Sequence, residues 1–323
     1  MKSLRKSLTF LSSVVTAAVL TTQLVAAQGY PNRPVRVIVA YPAGQSTDTA
    51  TRYLANKLSL ALGQNFVVDN RPGAFGNIGT ALAAKAPNDG YTLVMAASGT
   101  HAINPGLYEN TGFDADKDFD PIILTAIIPM VVSVHPSLNV NSLPELIQLA
   151  KSRPDKIDVA VPSVTAQLVL EMFKQRDVPL FAVKYKGSAD AMTAVLGGQV
   201  PVLIDTVVAT RPQLGKLKAL AVTTTKEMSA LPNVKSAVEQ GMTGFSVTAW
   251  NALMAPRGTP VEIQEKLLSE MRKILALPET IKALHDLGFE APPSMSQPEL
   301  VEWARAERRK YAEIIKTARM KPE

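Results

Sequence analysis

The chain has 323 residues, 34 Lys and Arg against 28 Asp and Glu, and no cysteine. The missing thiols exclude disulfides, thiol catalysis, cysteine-ligated zinc and iron–sulfur clusters. A formal net charge of +6 without a dense basic tract argues against nucleic acid as a partner, since the densest cluster, 305–310, contains Glu307.

Lys2, Arg5 and Lys6 precede a largely apolar run over 8–24, and Val25-Ala26-Ala27 follows with small residues. This is the three-part pattern of a secretory signal peptide over residues 1–27, cleaved after Ala27. An N-terminal membrane anchor is the alternative, but the run is short for a span and carries Ser and Thr. No Cys follows it to take a lipid. Removing the first 27 of 323 residues leaves 296 and lowers the formal charge from +6 to +3. That length suits two modest domains or one large one.

Strand and helix patterns then alternate. A strand over 35–40 leads into a helix over 49–62, and a strand over 66–70 into a helix over 77–84. Strands follow at 91–96, 122–124 and 130–134. Ser142 and Pro144 open a helix over 143–152. Next come a strand at 158–161, a helix at 166–176, a strand at 181–183 and a helix at 189–196. Strands at 200–204 and 219–222 precede helices at 234–240, 261–276, 278–287 and 297–318. Such alternation predicts an α/β fold with open sheets covered by helices. Ligands of such sheets sit at the C-terminal ends of strands. The alternation restarts near 130, which favours two sheets, and the extended stretch near 245–254 returns the chain to the first.

Several loops follow strands and carry small polar residues. Tyr41-Pro-Ala-Gly-Gln-Ser-Thr-Asp48 lies between a strand and a helix. Helix starts present unpaired N–H groups and a partial positive charge, which suits a carboxylate. Ser46, Thr47 and Asp48 are all candidate N-caps, so the loop could equally be only a helix cap. Arg71-Pro-Gly-Ala-Phe-Gly-Asn-Ile-Gly79 is glycine-rich, but its spacing fits neither phosphate-binding pattern. Ser98-Gly-Thr-His101 could be read as nucleophile and base, yet no G-x-S-x-G elbow or acidic third member accompanies it. His135 and His285 form no metal spacing.

Taken in order, these pieces resemble the Bug family, extracytoplasmic solute receptors of tripartite tricarboxylate transporters. The resemblance spans essentially everything after residue 27. It rests on Tyr41-Pro-Ala-Gly-Gln-Ser-Thr-Asp48, Val68-Asp-Asn-Arg-Pro-Gly-Ala-Phe-Gly-Asn-Ile-Gly79 and Pro87-Asn-Asp-Gly-Tyr-Thr-Leu93. Thr100-His-Ala-Ile-Asn-Pro105, Tyr185-Lys-Gly-Ser188, Leu196-Gly-Gly-Gln-Val200, Leu217-Lys-Ala-Leu-Ala-Val222, Ala249-Trp250 and Ala255-Pro-Arg-Gly-Thr-Pro260 complete it. The resemblance implies a type II periplasmic-binding-protein fold, with domain I over 28–128 and 249–323 and domain II over 129–248. It implies a periplasmic protein that closes on a small carboxylate and serves integral membrane transporter subunits; a monomer is expected. The departure at 159–167 would suit either a bulkier, aromatic acid or simple drift around an ordinary, for example dicarboxylic, ligand. No cofactor and no catalysis are implied. A sensor feeding a signalling system would share this fold, and a hydrolase built on Ser98 is the remaining alternative.

Read together with that resemblance, the candidate ligand-binding residues are Tyr41, Ala43, Gly44, Gln45, Ser46, Asp48, Phe75, Asn77, Ser98, Thr100, Ser163, Thr165, Lys186, Gly187, Ser188 and Asp205. Asp48 is expected to fix the loop as much as to meet a ligand. Asp205 would accept from a ligand or hold a neighbouring loop. Two features depart from the family pattern: Gln45 stands where Gly is common, and 159–167 lacks the usual loop glycines and has Gln167 near the usual His.

Overall fold

The computed structural model describes residues 29–153 and 157–320. The segment read as a signal peptide, 1–27, lies outside the described residues. Two α/β lobes flank a cleft. In the first, β1 (Val35–Val39) lies between β2 (Phe66–Asn70) and β3 (Thr92–Ala97), all parallel. β1 is a nearly unbroken apolar run, because helices cover both of its faces. β9 (Thr248–Pro256) adds antiparallel to β3, and β4 (Phe119–Val134) adds antiparallel to β9.

β4 is one 16-residue strand where the sequence predicted two. Thr125, Pro121 and Pro129 interrupt the apolar pattern and hide its continuity. Bulges between Pro121 and Ile123 and between Leu124 and Ala126 absorb the interruption. The buried Thr125 hydroxyl donates to the Asn251 carbonyl at 3.0 Å. Pro129 falls where β4 leaves the first sheet for the second. There Met130–Val134 lies between β7 (Val202–Thr206) and β8 (Lys218–Val222), with β5 (Asp158–Val161) and β6 (Phe181–Lys184) beyond β7.

The helices are α1 (Ser46–Leu62), α2 (Asn77–Ala84), α3 (Asn104–Leu107), α4 (Leu143–Ser152), α5 (Val164–Lys174), α6 (Ser188–Leu196) and α7 (Val207–Thr210). α8 (Val261–Ala276), α9 (Pro278–Leu287) and α10 (Gln297–Thr317) follow. The predicted helix at 234–240 does not form. Its backbone pairs with β8 instead, Ala237 N–H donating to the Val222 carbonyl at 2.9 Å. The Gln240 side chain reinforces this by donating to the Leu220 carbonyl at 2.8 Å. A Ser296–Glu299 capping box starts α10, whose buried Tyr311 hydroxyl donates to the Thr248 carbonyl at 2.7 Å.

Trp250 is fully buried on β9 and meets Trp303 of α10 edge to face, 5.2 Å between centroids. Both tryptophans therefore serve the core where the strands cross. Among the described residues no helix is long and apolar enough to cross a membrane.

α2 approaches β1 closely at Gly79. A Cβ there would stand 2.4 Å from the Arg71 carbonyl oxygen and 2.9 Å from the Ala40 Cα. Gly79→Ala should therefore lower stability by about 1–3 kcal/mol, read as a lower urea midpoint. An unchanged midpoint would show that the helix can withdraw freely.

Candidate functional site

The strand ends that point into the cleft set the site. A small inner chamber, about 50 Å³, is walled by Tyr41, Gln45, Ser46, Thr47, Ala97, Ser98 and Gly99 from the first lobe. Ser163, Val164, Thr165, Ser188, Asp205 and Thr206 wall it from the second. Its floor is Ile128, Met130, Ala249, Trp250 and Asn251 on the crossing strands. The lobes touch directly: Ser46 Oγ and Thr206 Oγ1 share a hydrogen bond of 2.6 Å, and Ser98 Oγ lies 3.5 Å from Thr165 Oγ1. The cleft is closed.

Helices α1, α5 and α6 all begin at this chamber. α1 starts at Ser46, three residues earlier than the periodicity predicted, and its N-cap is Gln45 without a side-chain cap bond. Ser46, freed from capping, reaches across to Thr206 instead. Ser163 does cap α5, its hydroxyl accepting from Ala166 N–H at 3.2 Å. Three helix starts give the chamber a positive potential without a cationic side chain.

Of its wall residues, only Tyr41 and Asp205 titrate. Burial pushes the Tyr41 phenol above its ordinary range, against the opposing hydrogen bonds to Thr100. Burial likewise pushes the Asp205 carboxyl up, to about 6, although Ser188 and the Thr206 N–H bond to it. Asp205 Oδ1 accepts from Thr206 N–H at 2.7 Å, while Oδ2 has no partner. Asn251 Oδ1 and Trp250 Nε1 are also buried without partners. Of this floor the sequence flagged only the Ala249-Trp250 motif; Asn251, a polar residue within an apolar strand, was missed.

Outside lies a larger vestibule of about 540 Å³ that shares Tyr41, Gln45 and Ser163 with the chamber. Pro42, Pro72, Phe75, Pro162, Tyr185, Lys184 and Lys186 line it. Four successive residues of its wall have positive φ: Gly73, Ala74 (+45°), Phe75 (+49°) and Gly76. The Asn104 side chain donates to the Phe75 carbonyl at 3.1 Å and steadies this strained turn. Gln45 separates the two spaces, its amide packed where a Cβ on Gly187 would approach within 2.8 Å.

Tyr41, Gln45, Ser46, Ser98, Ser163, Thr165, Ser188 and Asp205 thus converge on the chamber, while Phe75 and Lys186 border the vestibule. Ala43 and Gly44 are exposed, and Gly44 serves the turn with φ +82°. Asp48, Asn77 and Thr100 are buried behind the walls. Asn77 Oδ1 accepts from Asn104 at 2.6 Å, and Thr100 Oγ1 donates to the Ala97 carbonyl at 3.1 Å. Gly187 lies against Gln45. Gln167 lies one turn along α5, in a separate crevice with Glu171 and Arg319.

Ser98 and His101 do not form a nucleophile–base pair. The His101 Nδ1 lies 2.9 Å from Thr100 Oγ1, and its ring packs 4.9 Å from that of Phe119. Burial, helped by Arg308, pushes this imidazole down to about 3. Among the described residues no group of three His, Asp or Glu side chains is placed to hold a metal.

Two α/β lobes closed over a small chamber edged with hydroxyls, joined by crossing strands, define a cleft-type solute-binding protein. The family model described as tripartite tricarboxylate transporter family receptor matches residues 50–320. The chain belongs to this family, which includes the Bug receptors. It is similar to Rpa4515 of R. palustris, solved with adipate: TM-score 0.88, 36% identity, covering 91% of this chain and 100% of that one. The periplasmic binding protein BugD gives TM-score 0.84 and 33% identity, with the same coverage of 91% and 100%. MatC of Rhodopseudomonas palustris, solved with malate, gives 0.82 and 30%, over 88% and 100%.

Asp48 holds the first loop. Its Oδ2 accepts from Gly44 N–H at 2.8 Å and Arg52 Nε at 2.9 Å, and its Oδ1 accepts from Asn70 at 2.8 Å. Burial would raise this carboxyl, but those three partners outweigh it and hold it below its ordinary value. A depressed carboxylate contributes stability above its unfolded pKa, about 4, and the contribution is lost as pH falls through the folded value. The urea midpoint of the wild type should exceed that of Asp48→Asn at pH 7, and the gap should narrow towards pH 3. A gap independent of pH would refute this role of the charge.

Proposed function

We propose that the chain is a periplasmic receptor that captures a small organic acid by cleft closure and hands it to the membrane subunits of a tripartite transporter. The observation that carries this reading is the convergence of three helix starts and five hydroxyl side chains, Ser46, Ser98, Ser163, Thr165 and Ser188, on one closed chamber. Such a set holds a carboxylate through N–H and O–H donors alone. The adipate of Rpa4515 and the malate of MatC support an acid as the ligand class.

In this reading the carboxylate head enters the inner chamber. The body of the acid lies in the vestibule beside Tyr41, Phe75 and Tyr185, with Lys186 at hand for a second carboxylate. That apolar and aromatic wall suits an aromatic or longer dicarboxylic acid better than a compact one. The moving units are residues 28–128 with 249–323, and 129–248. Residues 1–27 direct export, the receptor acts as a monomer, and the ligand leaves unchanged.

Thermal unfolding with adipate, malate, benzoate and neutral analogues tests the reading. A cognate acid at ~100 times its dissociation constant should stabilise by about 2.7 kcal/mol, and neutral analogues should not. Folded protein that responds to no acid would reject it. Closure itself is testable at Gly99, where a Cβ would meet Tyr41 Oη at 2.6 Å and Val164 Cγ1 of the other lobe at 3.1 Å. Gly99→Ala should weaken acid binding about tenfold, ~1.4 kcal/mol by titration calorimetry. Unchanged affinity would mean that the ligand does not need this closed geometry.

A further inference from the structure

The inner chamber sets an electrostatic problem. It is built for an anion, yet its walls contain an acid and no base. Asp205 is 1% exposed at the end of β7, and its Oδ2 has no hydrogen-bond partner. Resting on the receptor reading above, we propose that Asp205 takes up a proton when the acid binds, so that one proton enters the chamber with each carboxylate.

Among the described residues, no element packed around Asp205 supplies a countercharge. β4 places Val131 opposite Asp205 and Met130 beside it, and β5 brings Val159 and Ala160 alongside β7. α5 presents Ser163 to Thr165, with Glu171 and Lys174 nearer its far end. α6 presents Ser188, and its Asp190 is exposed in the first turn. α7 carries no charge, and the Arg211 that follows donates to the carbonyl of His285 at 3.3 Å. From the first lobe come Ser46 and Thr47. Asp48 beyond them is bound to Arg52, and Tyr41 remains a neutral phenol. Lys186 lines the vestibule instead.

A ligand carboxylate and an ionised Asp205 would therefore share one small buried space without a cation between them. Two carboxylates so placed do not both stay ionised. The carboxyl already sits near 6 from burial, and an added anion can only move it further up. The proton comes from solvent and settles on the unpaired Oδ2. That turns an acceptor facing an anion into an O–H donor to it. No bond is made or broken in the ligand.

A group whose pKa rises on binding strengthens binding as pH falls. With a free value near 6, the dissociation constant should increase by up to about tenfold per pH unit above that value, until the bound-state pKa is passed. Whichever of adipate, malate and benzoate gives the largest thermal shift serves as the probe. Titration calorimetry at pH 7.0 in phosphate and in Tris, whose ionisation enthalpies differ, counts protons without any variant. The expected uptake is about 0.5–1 proton per acid bound. Asp205→Asn, checked for folding by its melt, should bind the same probe with no uptake and with affinity constant from pH 6 to 8.

Wild-type uptake near zero, or uptake unchanged in Asp205→Asn, overturns the proposal while leaving the receptor reading intact. Binding confined to malate, pH-independent and lost in Asp205→Asn, would overturn it in favour of a ligand hydroxyl donating to an ionised Asp205. Absence of any thermal shift removes the receptor reading and this proposal together.

Discussion

The antiparallel pairing of β4 with β9 is the interaction on which the rest of the molecule depends. Nine residues of β9 run beside β4, from Phe119 opposite Pro256 to Pro129 opposite Thr248. Beyond Pro129 the same strand becomes the centre of the second sheet, between β7 and β8. One continuous backbone ladder therefore joins both lobes, and its apolar faces carry the core across through Trp250 and Trp303. The chamber floor lies on this pair, so the site cannot be altered there without disturbing the joint.

Above that floor the contacts are of a different kind. Around the chamber the lobes meet through hydroxyls, Ser46 with Thr206 and Ser98 with Thr165, beside the apolar contact of Val164 with Gly99. Neutral hydrogen bonds that exchange with water contribute little net free energy each. Hydroxyl contacts of this kind can part at little cost, which suits the cleft opening and closing proposed for the receptor. The same economy extends to charge: in the proposed function, helix starts and hydroxyls meet the acid where the chamber wall has no lysine or arginine.

Much of the candidate chamber was legible because loops that follow strands and open helices announce themselves. Small hydroxyl residues after an apolar run identified Ser46, Ser98, Ser163 and Ser188, all of which reach the chamber. Legibility failed where a long-range partner overruled a local pattern. Residues 234–240 have helical periodicity, but the open edge of β8 offered better hydrogen bonds. β4 was read as two strands because its prolines look like breaks, whereas bulges and the lobe boundary accommodate them. Asp48 carries a capping side chain, yet Gly44, Arg52 and Asn70 claim it.

By itself, the sequence determined the alternation of strands and helices, the α/β class and the polar loops. Each follows from apolar periodicity and turn chemistry within a dozen residues. Only the tertiary structure decided which loops face one another, which hydroxyls cap helices and which cross the cleft, and that Asp205 ends with one oxygen unpaired in a chamber without cations. Those properties depend on burial and on partners as far apart as Ser46 and Thr206, and no local pattern encodes how distant segments pair.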